Sequence, residues 1–348
     1  MTAHTVRTLA GDVPADTLGV VNSHDHLFLT TPALPGGELQ DYDDARRELL
    51  DFGMAGGKTV IQWTPRGLRR GLPGLRTLSQ TTDTLIVAAT GRHRRELYGP
   101  ENPVANARAG ELAGMFIDDV HQQRCGLIKV GTGYRGMNAF ERETVEAAAV
   151  AHHATGAPIA VHLERGTAGH EVLEAFLAEG IAPDSLILGH IGRNPDPYYV
   201  EDLAQSGAFL ALDGPSTENH LTDWRLMPLI QKLVAAGHLA QLLLGADTTK
   251  ARAQGVFGGP GMGGLLRRTK NDIERHLGSE VVHSIFVSAP RLAWRQRLAK
   301  IERYRGRQSA GRSAEPVSLS GADLGRRDHG SLSRSARANS ATTAGPLT

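Results

Sequence analysis

Several kinds of residue are scarce in this chain, and each scarcity excludes something. A single cysteine, Cys125, stands among 348 residues, so no internal disulfide forms and a reducing cytoplasm is the expected compartment. An excess of charge of either sign is missing too. The 38 Lys and Arg against 37 Asp and Glu leave a formal net charge of +1, which argues against a nucleic-acid or polyanion binder that works by bulk electrostatics. Long apolar runs are absent: stretches such as TLIVAA from Thr84 are strand-sized, far below the ~20 residues that cross a bilayer. The opening MTAHTVRTLAGDV lacks the apolar centre of a secretory signal. What is present is 40% hydrophobic residues with 22% charged, enough for a sizeable core, and 15 histidines.

Short apolar, β-branched runs bounded by Gly, Pro or Asp occur eight times: GVVNSH from Gly19, KTVIQW from Lys58, TLIVAA from Thr84, GLIKVG from Gly126, PIAVHL from Pro158, SLILGH from Ser185, AFLALD from Ala208 and QLLLGA from Gln241. Segments with helical spacing lie between them, several ending in Gly, and only 66–80 is ambiguous. Strands apolar on both faces that alternate with helices predict a parallel sheet covered by helices. Eight such units predict an α/β fold of the closed (β/α)8 TIM-barrel type. A doubly wound open sheet is the runner-up, but SHDHLFL stands where its phosphate-binding glycines would follow the first strand. Residues 1–304 are read as one barrel domain with a closing helical segment over 264–300. From Arg305 onward seven Arg, three acidic residues and many Ser, Gly and Ala replace the core-forming residues, and 305–348 is expected to be a disordered tail.

Catalytic side chains of such barrels come from the C-terminal ends of the strands. Here strand 1 ends in His24 and His26, strand 4 carries Lys129, strand 5 ends at His162, strand 6 at His190 and strand 8 at Asp247. Alternation along a strand points His24 and His26 the same way, with Asp25 turned elsewhere. A lone histidine at a strand end is usually a core residue hydrogen-bonded to backbone, and a lone Asp there is usually a helix cap. Their joint placement on one rim instead indicates ligands for divalent ions of the Zn, Mn, Co or Ni kind. Two ions fit better than one. A desolvated Lys129 has a lowered pKa, and its neutral amine would be available for carboxylation by CO2 into a further anionic bridge.

The segments SHDH (23–26), GLIKVGTGY (126–134), ETVEAAAVAHHATGAPIAVHLERG (143–166), LILGHIGRNPDPYY (186–199) and LLLGAD (242–247) resemble the phosphotriesterase-like family of the amidohydrolase superfamily. The resemblance implies a binuclear metal centre. His24, His26 and Asp247 would hold the more buried ion, His162 and His190 the more exposed one, and N6-carboxylated Lys129 would bridge both with a hydroxide. Two departures stand out: Gly192 replaces an Asp common in the family, and Ala289-Pro290 replaces a common Asn-Pro. RNPDPYY after His190 and FGGPG at 257–261 resemble the family's lactonase branch more than its dedicated organophosphate enzymes.

The expected activity is hydrolysis of a lactone, sugar- or phosphate-bearing in one variant, with Asp247 as the catalytic proton carrier. Hydrolysis of organophosphate triesters or other phosphoesters is the alternative. A metal-retaining barrel that binds without turnover is a third reading. Tyr98 and Tyr134 in loops after strands 3 and 4, and Arg193, Lys250 and Arg252 after strands 6 and 8, are the candidate substrate contacts; Arg92 and His93 stay open. The partners expected are a small-molecule substrate, with neither nucleic acid nor membrane, and a second copy of the chain as the commonest oligomer.

Overall fold

All eight apolar runs form strands. In the computed structural model, which describes residues 4–216 and 220–297, a hairpin comes first: β1 (Thr5–Thr8) pairs antiparallel with β2 (Gly11–Pro14). The runs then follow as β3 (Val21–Asp25), β4 (Thr59–Gln62), β5 (Leu85–Arg92), β6 (Leu127–Thr132), β7 (Ile159–Leu163), β8 (Leu186–Gly189), β9 (Phe209–Asp213) and β10 (Leu242–Gly245). They make one parallel sheet in sequential order from β3 to β10. The sheet curls until β10 lies beside β3, where the amide of Asp247 donates to the carbonyl of His24 at 2.9 Å. This is the (β/α)8 architecture that the alternation predicts. The segment expected as a tail, 305–348, lies outside the described residues, and the proposed boundary at residue 304 falls there too.

Helices cover the outside. Helix α1 (Tyr42–Met54) starts where the Asp41 carboxylate caps the amide of Asp44, and it buries Ala45, Leu49 and Phe52 at helical spacing. The helix 139–155 has a capping box of Asn138 and Glu141 and stops at Gly156 in the left-handed conformation. The ambiguous stretch 66–80 resolves into α2 (Leu72–Thr81), with a left-handed Gly71 as N-cap and a proline in the first turn. Gly and Pro obscured its period, yet at a helix start both are tolerated. The closing segment is a helical run from Gly261 to Ala293 with two π-helical turns.

Two apolar clusters follow from the strands' alternation. Val60, Ile86, Ile128, Val161, Leu188, Leu210 and Leu244 face outward against the helices. Val21, Ile61, Val87, Leu127, Ala160, Ile187, Phe209 and Leu243 fill the barrel's interior, where Val6 of the hairpin, Leu18 of the turn after it and Trp294 at the end of the closing helix join them. Two residues further along the interior-facing rows come Trp63, Lys129, His162 and Gly189, and beyond Ala211 and Gly245 come Asp213 and Asp247. The same pleat that packs the dry interior therefore delivers the polar rim. Among the described residues no helix is long and apolar enough to cross a membrane.

Candidate metal centre and its surroundings

His24 is fully buried at the centre of the rim. Its Nε2 lies 3.4 Å from Oδ1 of Asp247, and Nε2 of His26 lies 3.5 Å from the same oxygen. Three potential ligand atoms thus converge within 4.8 Å of one another. A second group of the same compactness is His24, His190 and Asp213. Nδ1 of His24 lies 3.3 Å from Oδ1 of Asp213, yet neither ring nitrogen of His24, nor that oxygen, makes a hydrogen bond of good geometry, although all three are buried. Buried polar atoms left unpaired are costly, and a cation between them is the simplest remedy. The donor set fits a divalent ion.

The rings are held by partners on their other side, an arrangement that fixes tautomer and orientation. Nδ1 of His26 lies 2.8 Å from the Thr64 hydroxyl, Nδ1 of His190 lies 2.7 Å from Asp213 Oδ2, and Nε2 of His162 lies 3.0 Å from Glu164 Oε2. Nε2 of His26 thus faces Asp247, and Nδ1 of His190, besides its bond to Asp213, lies 3.7 Å from Asp247 Oδ2. His162 packs at 4.4 Å between ring centroids from His190, and 4.5 Å from His93. It does not share a compact ligand group with His190 in this arrangement; Asp213 occupies that place. Burial pushes His24 down to about 3 and holds His26 and His162 below the ordinary histidine value, so the rings are neutral, the form that ligates.

Lys129 is 1% exposed, and its Nζ sits 4.5 Å over the Trp63 ring. Burial lowers its amine to about 7, against the pull of Asp247 and Asp213. Trp63 also stacks on His24 at 3.8 Å between centroids and donates from its indole N–H to the carbonyl of Ser23. Gly245 makes the centre this tight: a Cβ there would lie 2.4 Å from the backbone nitrogen of His24.

Arg193 lies between the two carboxylates, with Nε 3.0 Å from Asp213 Oδ2 and Nη2 bonded to Asp247 Oδ2. Burial alone would raise Asp247, but His24, His190 and Arg193 hold it well below the usual carboxylate range. Asp213 is lowered in the same way, burial being outweighed by His190 and Arg193.

The remaining candidate contacts are dispersed. Tyr98 is 4% exposed and turned inward: its hydroxyl accepts from the amide of His93 and donates to the carbonyl of Arg66, so it supports the loop after β5. Tyr134 stands 57% exposed next to Arg135. Lys250 is half-buried against Gly37, and Arg252 is exposed on the same loop after β10. That loop, with its FGGPG motif, wraps the buried carboxylate of Glu48 on α1, which accepts the amides of Val256 and Met262 at 3.1 and 3.2 Å. Gly261 is required there, at φ +56 and with a Cβ position 2.7 Å from Glu48 Oε2.

Asp213, Trp63, Thr64 and Glu164 are the residues that strand-end reading passed over. Asp213 was findable, as the last residue of AFLALD and two beyond the inward Ala211. The others are not metal-ligand types or lie past the strand end.

Comparison with known proteins places this geometry. The model of the phosphotriesterase family matches residues 4–294. The chain belongs to the phosphotriesterase family. A phospho-furanose lactonase of Mycoplasmopsis agalactiae is 28% identical over 246 residues, 63% of this chain and 69% of that protein. An aryldialkylphosphatase of Saccharolobus solfataricus is 23% identical over 250 residues, 68% of this chain and 78% of that one. Among solved structures, a lactonase of Listeria monocytogenes superposes with a TM-score of 0.79 at 26% identity, covering 84% of this chain and all of that one. The family and these relatives are hydrolases of small molecules.

Proposed function

We propose that this chain is a binuclear metal-dependent hydrolase of lactones. One observation carries the reading: two compact ligand groups share the buried His24, which stacks on the Trp63 ring that also carries Lys129, a buried lysine whose amine is lowered to about 7. His24, His26 and Asp247 would hold one ion; His162 and His190 would hold the other, with Lys129 as a carbamate between them. Imidazole and carboxylate donors favour zinc, with manganese, cobalt and nickel compatible. When bound, such ions supply an acidified water and a Lewis acid for the carbonyl oxygen.

The chain's own groups do the rest. The neutral Lys129 amine would form a bond to the carbon of CO2 and release one proton to solvent, leaving a carbamate anion where an uncharged amine stood. Asp247, kept ionised beside Arg193, accepts the proton of the attacking water at Oδ2 and delivers it to the ring oxygen that leaves the opened lactone. Asp213 orients His190, and Glu164 orients His162. Beneath them the apolar interior excludes water and raises the strength of every charge interaction at the rim. Lys250 and Arg252 on the loop after β10, with Arg193 beside the two carboxylates, would set positive charge suited to a phosphate or carboxylate on the substrate, and Tyr134 is exposed on the loop after β6.

A phosphotriester reading stays second, favoured by the Saccharolobus relative; a barrel that binds without turnover has no use for an ionised Asp247 at this position. Residues 1–304 are proposed as the hydrolase domain and 305–348 as a solvated tail. The single cysteine fits a reducing cytoplasm, and a homodimer is the default assembly. The test is a panel of lactones, sugar-phosphate lactones and an aryl phosphotriester, ranked by kcat/KM. A lactone should lead by at least ~10²-fold. A leading triester would replace the lactone reading, and no turnover on any of them would remove the hydrolase assignment.

A further inference from the structure

At the seam where β10 meets β3 the regular ladder gives out, and side chains take over. Three successive amides of the β10 end are held by β3: Ala246 N–H donates to Asn22 Oδ1 at 3.1 Å, Asp247 N–H to the His24 carbonyl at 2.9 Å, and Thr248 N–H to Asp25 Oδ1 at 2.9 Å. The Asn22 amide group in turn donates to Asp25 Oδ2, while Asp25 Oδ1 also accepts the amide of His26 at 2.8 Å. Asn22 and Asp25 are both fully buried. Residues three apart face opposite ways in a regular strand, but β3 holds one extra residue relative to β4 between Asn22 and Asp25, and this bulge brings the two together. The backbone they grip is strained. Asp247 has φ +49, a left-handed conformation that a non-glycine residue keeps only when its surroundings impose it.

We propose that Asn22 and Asp25 are positioning residues for Asp247, a paired clamp that fixes the strained turn presenting its carboxylate. The proposal rests on the reading of Asp247 as proton carrier. Side-chain anchors at a seam give a tighter hold than a ladder end, because each amide of the turn has its own acceptor and none is left to fray. The clamp also ties the two strands that supply His24, His26 and Asp247, so their mutual spacing is set by one hydrogen-bonded unit.

The polarity of the Asn22–Asp25 bond supplies the test. Asp25→Asn puts two N–H groups face to face, and Asn22→Asp puts two carboxylates face to face. The double exchange, Asn22→Asp with Asp25→Asn, restores every bond with the central one reversed. With metal-loaded protein, each single exchange should lower kcat by ~10- to 100-fold with KM changed little, as misplacement of a reacting group does. Amide exchange in the peptide over 242–250 should accelerate while peptides over Leu127 and Ile187 stay protected, and the double exchange should recover both readouts. Should a single exchange fail to fold, Asn22→Ala, which removes the hold on Ala246 and the bond to Asp25 Oδ2 but leaves the Thr248 anchor, carries the same expectation with a smaller loss. Singles with wild-type kcat and exchange, or a double exchange no better than Asp25→Asn, overturn the clamp. Wild-type protein without turnover would instead sink the hydrolase reading, and the exchange readout would still decide the clamp.

Discussion

The two ends of one barrel are built on opposite terms. At the closed end Val6, Leu18, Leu127, Ile187, Phe209, Leu243 and Trp294 pack an interior without charge, sealed by the N-terminal hairpin and the closing helix. At the open end, two to four residues further along the strands, Lys129, His162, Asp213 and Asp247 crowd together, with unpaired polar atoms and a left-handed backbone at His190 and Asp247. Burial at the first end stabilises the fold; burial at the second costs free energy and shifts proton affinities. The lesson is a division of labour along each strand, in which stability and chemistry are separated by one or two steps of the pleat.

Substitutions should respect that division. The largest effect is expected for Asp247→Asn, which should lower turnover by ~10³-fold or more while thermal stability holds and some metal stays bound. Near-normal kcat would remove Asp247 from the proton path. Lys129→Ala should lose nearly as much turnover and regain part of it with added short carboxylic acids. Retained metals without recovery would count against a bridging carbamate. At the closed end the pattern reverses: Trp294→Ala should cost ~3–5 kcal/mol in denaturant unfolding and leave kcat per folded molecule unchanged. A fall in kcat there would break the separation. Asp213→Asn, which weakens the support of His190, should lower metal affinity or turnover by ~10- to 100-fold, read by competition with a chelator.

The smallest effect concerns pH. Nδ1 of His152, in the last turn of the helix 139–155, donates at 2.8 Å to the Ala157 carbonyl, and burial lowers its pKa to about 4. The folded state favours the neutral ring. Its contribution is therefore present above the unfolded value of ~6.5 and is lost as pH falls toward 4, on the order of 3 kcal/mol in all. The difference in unfolding free energy between wild type and His152→Asn, followed from pH 7.5 to 4.5, measures it. A pH-independent difference would show that the ring titrates normally.

Much of this was legible in the sequence because a parallel barrel writes its strands as apolar runs and its site as their last residues. GLIKVG and QLLLGA needed no tertiary information. Arg66 to Gln80 did, since Gly71 and Pro73 hide the period of α2 and only the packed Leu72, Leu75 and Leu78 reveal it. In the site, His24, His26, Lys129, His190 and Asp247 announce themselves by residue type and position. Trp63 does not, because its contribution is a stacked ring, and neither do Asn22 and Asp25, whose meeting depends on a bulge that no local pattern signals. Glu164 and Thr64 act through the nitrogen opposite the ligand, a relation that exists only in three dimensions.

The most direct test of the central claim is metal stoichiometry joined to activity. Chelator-stripped protein should be inactive on the best lactone of the panel, and titration with zinc should restore turnover with a break at two ions per chain. Stripped protein that keeps its turnover, or binds fewer than one ion, would contradict the account.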